Sequence, residues 1–164
     1  MSCCRKKDNI GPILHCTSHE IRRALDMIIA AQVSPELTGM RGMVLGHIAR
    51  GTAAGNAIYQ RDIETEFHIR RSSVTTLLQG MEQAGFVTRS AVQRDARLKS
   101  LVPTEKGQAC VQKIDLCIEA FETRLQAGLS KAQLDALRAT LGQLVQNVRE
   151  IAAEQESLPQ ERRE

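Results

Sequence analysis

Two apolar repeats towards the C-terminal end constrain this chain most. Val111, Ile114, Ile118, Phe121 and Leu125 recur at steps of 3, 4, 3 and 4, and Leu134, Leu137, Leu141, Leu144, Val148 and Ile151 at 3, 4, 3, 4 and 3. Alternating steps of three and four keep one apolar stripe along a helix and suit helices packed lengthwise on one another. Two such stripes are more than one small domain covers, so they predict pairing with a second copy of the chain. Ser130 and Gln133 form a capping-box pattern for the second of these helices. Aromatic residues make up only 2% of the chain, with no tryptophan, so the core must be Leu, Ile, Val, Met and Ala. That composition favours packed helices over a β-sandwich.

The rest of the chain reads as further helices and one hairpin. A helix is expected over about Ile10 to Ala31, with Leu14, Ile21, Leu25 and Ile28 on one face and Pro35 breaking the chain after it. Thr38 is a suitable N-cap for a second helix to about Arg50, with Met40, Val44 and Ile48 inward and Gly51 to Gly55 ending it. A short helix from Tyr59 to Phe67 follows. His68, Ile69 and Arg70 make a tight connection to a fourth helix, Arg71 to Ala84, stopped by Gly85. Phe86 to Val92 is strand-like, Gln93 to Arg97 a polar tip, and Lys99 to Val102 the returning strand. Thr104 opens the fifth helix. The expected fold is mainly α, with six helices and a small β-hairpin wing. A winged helix-turn-helix spans 38–103, 1–34 and 104–153 form a helical dimerisation region, and 154–164 is a loose polar tail.

The formal net charge of +3 is too small to name a partner, but its distribution is informative. Residues 69–99 hold six basic and two acidic side chains, whereas residues 108–164 hold seven basic and nine acidic. A local basic stretch is the footprint of a phosphate-binding surface. Within it, Val74, Leu77, Leu78 and Met81 fall on one side of the fourth helix. Ser72, Thr76, Gln79 and Gln83 lie opposite, with Ser73 and Thr75 at the margins. Small neutral hydrogen-bonding groups can meet base edges in a major groove, and Arg70 and Arg71 at the start of the helix can reach phosphate or guanine. In the hairpin, Arg94, Arg97 and Lys99 surround the lone acid Asp95, a basic tip suited to a minor groove.

The segments YQRDIETEFHIRRSSVTTLLQGMEQAGFVTRS (59–90) and RDARLKSLVPTEKG (94–107) resemble the MarR/SlyA family of bacterial regulators. The resemblance covers about Thr38 to Gly107. It implies an obligate dimer built from the first and last two helices, DNA readers on the fourth helix, and Arg97 in the minor groove oriented by Asp95. It also implies repression relieved by a ligand or by thiol oxidation. Two positions depart from the pattern. Arg70 stands where relatives often carry a Ser or Asp cap, and Pro103 replaces an aliphatic residue, removing a ladder donor.

Several effector chemistries are open. Cys16 lies on the first helix, where some thiol-sensing relatives carry a reactive cysteine, so it is a candidate redox sensor; such a thiol needs a depressed pKa and access. His15 and His19, at i and i+4, are weak candidates for a metal. A small organic molecule between the dimerisation helices and the DNA-reading part is the default effector, and no cofactor is required. Cys3, Cys4, Cys16, Cys110 and Cys117 include no C-x-x-C pair and read as reduced thiols. No enzyme is expected, since Gly51 to Gly55 lacks the ending of a phosphate loop and no Ser-His-Asp arrangement stands out. No apolar run suits a leader or a membrane span, so a cytoplasmic protein is expected, with double-stranded DNA and itself as partners. A winged-helix module that binds protein rather than DNA is the reading from another class.

Overall fold

The computed structural model describes residues 9–92 and 95–157, with the backbone alone over 91–99 and 156–157. Six helices and an antiparallel hairpin follow in the order α1 (Ile10–Gln32), α2 (Met40–Ala53), α3 (Gln60–Phe67), α4 (Arg71–Gln83), β1 (Val87–Val92), β2 (Asp95–Pro103), α5 (Glu105–Leu125) and α6 (Lys131–Ser157). A 3-10 turn at Pro35–Leu37 separates α1 from α2. This is the mainly helical, winged architecture that the sequence predicts. The chain divides into two compact units, residues 1–121 and 122–164.

The core of the first unit is aliphatic. Leu37, Val44, Leu45, Ile48, Ile63, Val74, Leu78 and Met81 are fully buried, joined by Phe86 and Leu101. Both glutamine and serine at the start of α6 behave as a capping box. The Ser130 amide donates to Gln133 Oε1 at 2.9 Å, and the Gln133 amide donates to Ser130 Oγ at 3.3 Å. The α6 stripe is largely open in the single chain, with Leu137, Leu141, Val148 and Ile151 exposed.

Three local expectations need correction. Thr38 does not cap α2; its hydroxyl donates back to Pro35 O, and Gly39 takes the cap position at φ 58°. The Gly39 amide is instead satisfied by Asp26 Oδ1 from α1 at 2.6 Å. The carboxylate holds the cap residue's own amide from another helix, a long-range contact that sequence spacing could not show. α2 runs three residues past Arg50 to Ala53 and ends, as expected, within the Gly51 to Gly55 stretch, with Gly55 at φ 78°. Tyr59 is the N-cap of α3 rather than its first residue, with its amide donating to Asp62 Oδ2 at 2.7 Å. Finally, the polar tip is shorter than expected. Asp95 to Arg97 belong to β2, and the ladder shifts register between Ala91 and Val92, so that Val92 pairs with Asp95 and Ala91 with Lys99. Residues 93 and 94 lie outside the described residues.

The end of α4 is locked by the Schellman pattern. Gly85 sits at φ 73°, and the Phe86 amide reaches Met81 O at 2.9 Å. Directly beyond the wing, the Thr104 hydroxyl donates to Gly85 O at 2.6 Å and accepts the Gly107 amide at 3.0 Å. Gly107 is pressed on the same turn, so that a Cβ there would stand 2.1 Å from Phe86 O. Gly107→Ala must therefore push backbone from backbone. A destabilisation of at least about 1–3 kcal/mol is expected, the range for overpacking a tight core. Gly142→Ala, with open space around it on α6, should instead stabilise by up to about 1 kcal/mol through helix propensity. Urea unfolding midpoints of the two variants check the contrast.

Candidate nucleic-acid interface

The site is built on α3, the connection after it, and α4. His68 ends α3 in the left-handed region at φ 50°, and the Ile69 amide returns to Glu64 O. That single left-handed residue turns the chain in three residues, as a helix-turn-helix requires. Burial of Val74, Leu78 and Met81 then fixes which side of α4 faces out. Ser72, Ser73, Thr76, Gln79 and Gln83 are all exposed, as are Arg70 and Arg71. Arg70 is the N-cap of α4 and makes no side-chain cap. The first-turn amides consequently have no intrahelical or cap acceptor, and the positive end of the helix dipole stands beside two arginines.

Thr75 differs from its neighbours. It is half-buried, its hydroxyl donates to Arg71 O at 2.9 Å, and it accepts Gln60 Nε2 from α3 at 2.9 Å. Gln60 also donates to Glu64 Oε1. Thr75 is thus tied into the α3–α4 contact, while Thr76, whose hydroxyl bonds only Ser72 O, stays outward. A second tie runs to the wing. Arg89 Nε of β1 lies 3.1 Å from both carboxylate oxygens of Glu82 on α4. Both side chains are about 30% exposed, so water screens the pair only in part. Its effect is to hold β1 against the last turn of α4. Lys106 adds a third tie, donating to Ala84 O at 2.7 Å while its ammonium lies over the Phe86 ring.

Gln60, Glu82, Arg89 and Lys106 were not singled out in the sequence. No spacing rule covers contacts that cross a turn or join two helices, so the sequence carried no signal for them. Of the expected wing residues, Arg94 and the side chains of Asp95, Arg97 and Lys99 lie outside the described residues. The backbone does put Asp95, Arg97 and Lys99 on one strand.

The effector candidates are spread along α1. His15 and His19 are exposed, and Nδ1 of His19 lies 3.9 Å from Glu20. Among the described residues no group of three or more His, Cys, Asp or Glu is placed to hold a metal ion. Cys16 is half-buried; Cys117 is buried and its thiol donates to Gln32 Oε1 at 3.4 Å; Cys110 packs against the core. Cys3 and Cys4 lie outside the described residues. Between α1 and α5 on one side and α2 and α3 on the other is a crevice of about 530 Å³. Leu25, Ile29, Phe67 and Ile114 make much of its wall, and Arg22, His47 and Arg50 supply polar groups.

A short helix, a left-handed turn, a second helix with one apolar and one neutral polar side, and a two-stranded wing together define a winged helix-turn-helix. Residues 36–98, which hold the winged-helix segment, match the model of the MarR family. Solved structures agree over most of the chain. The transcriptional regulator PA3341 is 25% identical, with a TM-score of 0.70 over 87% of this chain and 99% of its own. MepR of S. aureus, in a complex with DNA, is 19% identical, with a TM-score of 0.71 over 87% and 99%. A MarR-family regulator from Listeria monocytogenes, complexed with a 26mer DNA, is 16% identical, with a TM-score of 0.69 over 93% and 98%. The chain has the fold of a MarR-family transcription regulator. No helix among the described residues is long and apolar enough to cross a membrane.

The two threonines of α4 should separate in experiment. Thr75→Val removes the acceptor for Gln60 and should cost about 0.5–1.5 kcal/mol of stability, the net worth of one such bond. Thr76→Val should leave the melting temperature within a degree or two. Calorimetry on both variants checks the assignment.

Proposed function

We propose that this protein is a sequence-specific DNA-binding transcription regulator, a repressor that occupies a pseudo-palindromic operator as a homodimer and is released by a small ligand. The observation that carries this reading is the outward side of α4. It is neutral, hydrogen-bonding and free of the Lys–Glu pairs of an ordinary surface helix, and it begins at Arg70 and Arg71. Ser72, Ser73, Thr76 and Gln79 are assigned to base edges and Arg70 and Arg71 to phosphate or guanine. Thr75 is assigned to positioning, because its hydroxyl is already engaged. The family resemblance supports a minor-groove role for Arg97 with Asp95 orienting it, and phosphate contacts for Arg94 and Lys99. That MepR and the Listeria regulator form DNA complexes with the same fold supports the choice of partner. The site of action is then the cytoplasm, where the DNA is.

The assignment of 1–34 and 104–153 to dimerisation rests on the apolar stripe of α6 and on exposed Ile10, Ile13 and Leu14 at the start of α1. The crevice between α1, α2, α3 and α5 is the proposed effector site. Its volume, about 530 Å³, suits a small organic molecule, and pockets of this kind are typically apolar with a few placed polar groups.

Two experiments test the reading. Footprinting of DNA selected from random fragments should show an inverted repeat with half-site centres roughly 10 base pairs apart. In binding isotherms on that site, Gln79→Ala should relax preference at one base position by about 1–3 kcal/mol, and Arg97→Ala should weaken binding by a similar amount per subunit. Failure of the unaltered protein to bind any duplex would favour the protein-interaction module instead. For the dimer, Leu141→Asp with Leu144→Asp would put unpaired charge into the proposed interface and should give monomers or unfolded chain in sedimentation. A stable monomer of the unaltered protein would overturn the dimer.

A further inference from the structure

Arg41, on α2, lies against the reading helix. A Cβ on Gly80 would stand 2.8 Å from Arg41 Nη2 and 3.5 Å from its Cζ. The guanidinium therefore lies on bare backbone of α4, in a seat that any other residue at position 80 would occupy. Gly80 is inside a helix, where glycine is disfavoured against alanine, and this contact accounts for its presence. At 100° per residue Gly80 falls between Ser73 and Thr76, on the flank of the outward side. Arg41, Ser73, Thr76 and Leu77 line one shallow depression there, together with Thr38 and Glu36. Arg41 is half-buried, yet among the described residues it makes no ion pair and no hydrogen bond, with Glu36 or any other acid. A partly desolvated cation without a counter-charge is costly unless an anion arrives.

We propose that Arg41 is a DNA-phosphate contact delivered from α2, and that Gly80 is the gap in the reading helix that admits it. The inference rests on the DNA-binding reading above. A strand bordering the groove that α4 enters would pass its phosphates along this flank, and guanidinium matches phosphate geometry with two parallel donors. The arrangement lets α4 keep a neutral outward side for bases while a neighbouring helix supplies the anchor. Such a contact adds affinity and registers the protein on the duplex without reading sequence.

The test measures affinity at several salt concentrations on two duplexes, one carrying the selected operator and one of unrelated sequence. Arg41→Gln should weaken both by the same factor and should melt as the parent does. It should lower the slope of log affinity against log salt by about 0.9 per contact, so by roughly two units for a dimer using both. Arg41→Lys should keep most of that slope. Gly80→Ala, whose methyl takes the guanidinium's seat, should also lower the slope while melting no earlier than the parent. Added to Arg41→Gln, it should change nothing further. Gly80→Ala also keeps the test open should Arg41→Gln melt early, because it leaves the cation in the chain and only displaces it. An unchanged salt slope in both Arg41→Gln and Gly80→Ala, with the parent binding both duplexes, overturns the proposal. So does a loss confined to the operator, which would mean base reading. A parent that binds neither duplex overturns the DNA-binding reading itself, and this inference falls with it.

Discussion

Everything in the winged helix depends on how closely the start of α5 approaches the turn after α4. Only a glycine at 107 lets the two backbones meet, since a methyl there would overlap the Phe86 carbonyl. The Thr104 hydroxyl and amide then bond the carbonyls of Gly85 and Phe86, and Lys106 takes the carbonyl of Ala84, the residue that caps α4. The end of α4, the root of the wing and the first turn of α5 become one hydrogen-bonded block. The wing leaves from that block, and Glu82 holds Arg89 beside it, so the wing root is tied to α4 at two places. The same α5 goes on to line the crevice with Val111, Ile114 and Ile118. One helix thus joins the proposed effector site to the element that would touch DNA.

The electrostatics follow a division of labour. The outward side of α4 carries no charge of its own beyond its first residue, and its single acid, Glu82, is turned to Arg89. Hydrogen-bonding groups without charge discriminate among bases by geometry, whereas cations respond to phosphate whatever the sequence. On the proposed reading, arginines at the helix start and on the adjacent α2 would separate the two tasks. Hydroxyls are sorted in the same way. Thr75 is spent on Gln60 across the α3–α4 contact, and Thr76, one position on, is left available.

Much of this was legible in the sequence because it is local. The helix spans, the glycine stop at 85, the Ser130–Gln133 box and the two sides of α4 all follow from periodicity and short-range hydrogen bonding within a few residues. Where a local rule met a distant partner, it lost. Thr38 has the chemistry of a cap, but its hydroxyl turns back to Pro35 O, Gly39 takes the cap position, and Asp26 from α1 holds the Gly39 amide. In the hairpin, charge suggested a longer tip, and backbone pairing carried β2 back as far as Asp95.

What the sequence determined by itself is which segments are helical, which residues of each helix are apolar, and that one neutral helix side sits in the one basic stretch. Those properties depend on neighbours within about a turn, and the chain order states them directly. What only the tertiary structure decided is which polar groups are already engaged and which glycines are spacers. Gly80 reads in the sequence as a weak point in a helix; in the fold it is where Arg41 lies. Gly107 reads as part of a motif; in the fold it is the point where two backbones touch. A missing side chain has no meaning along the chain, because its value is the space it leaves for a group brought there by packing.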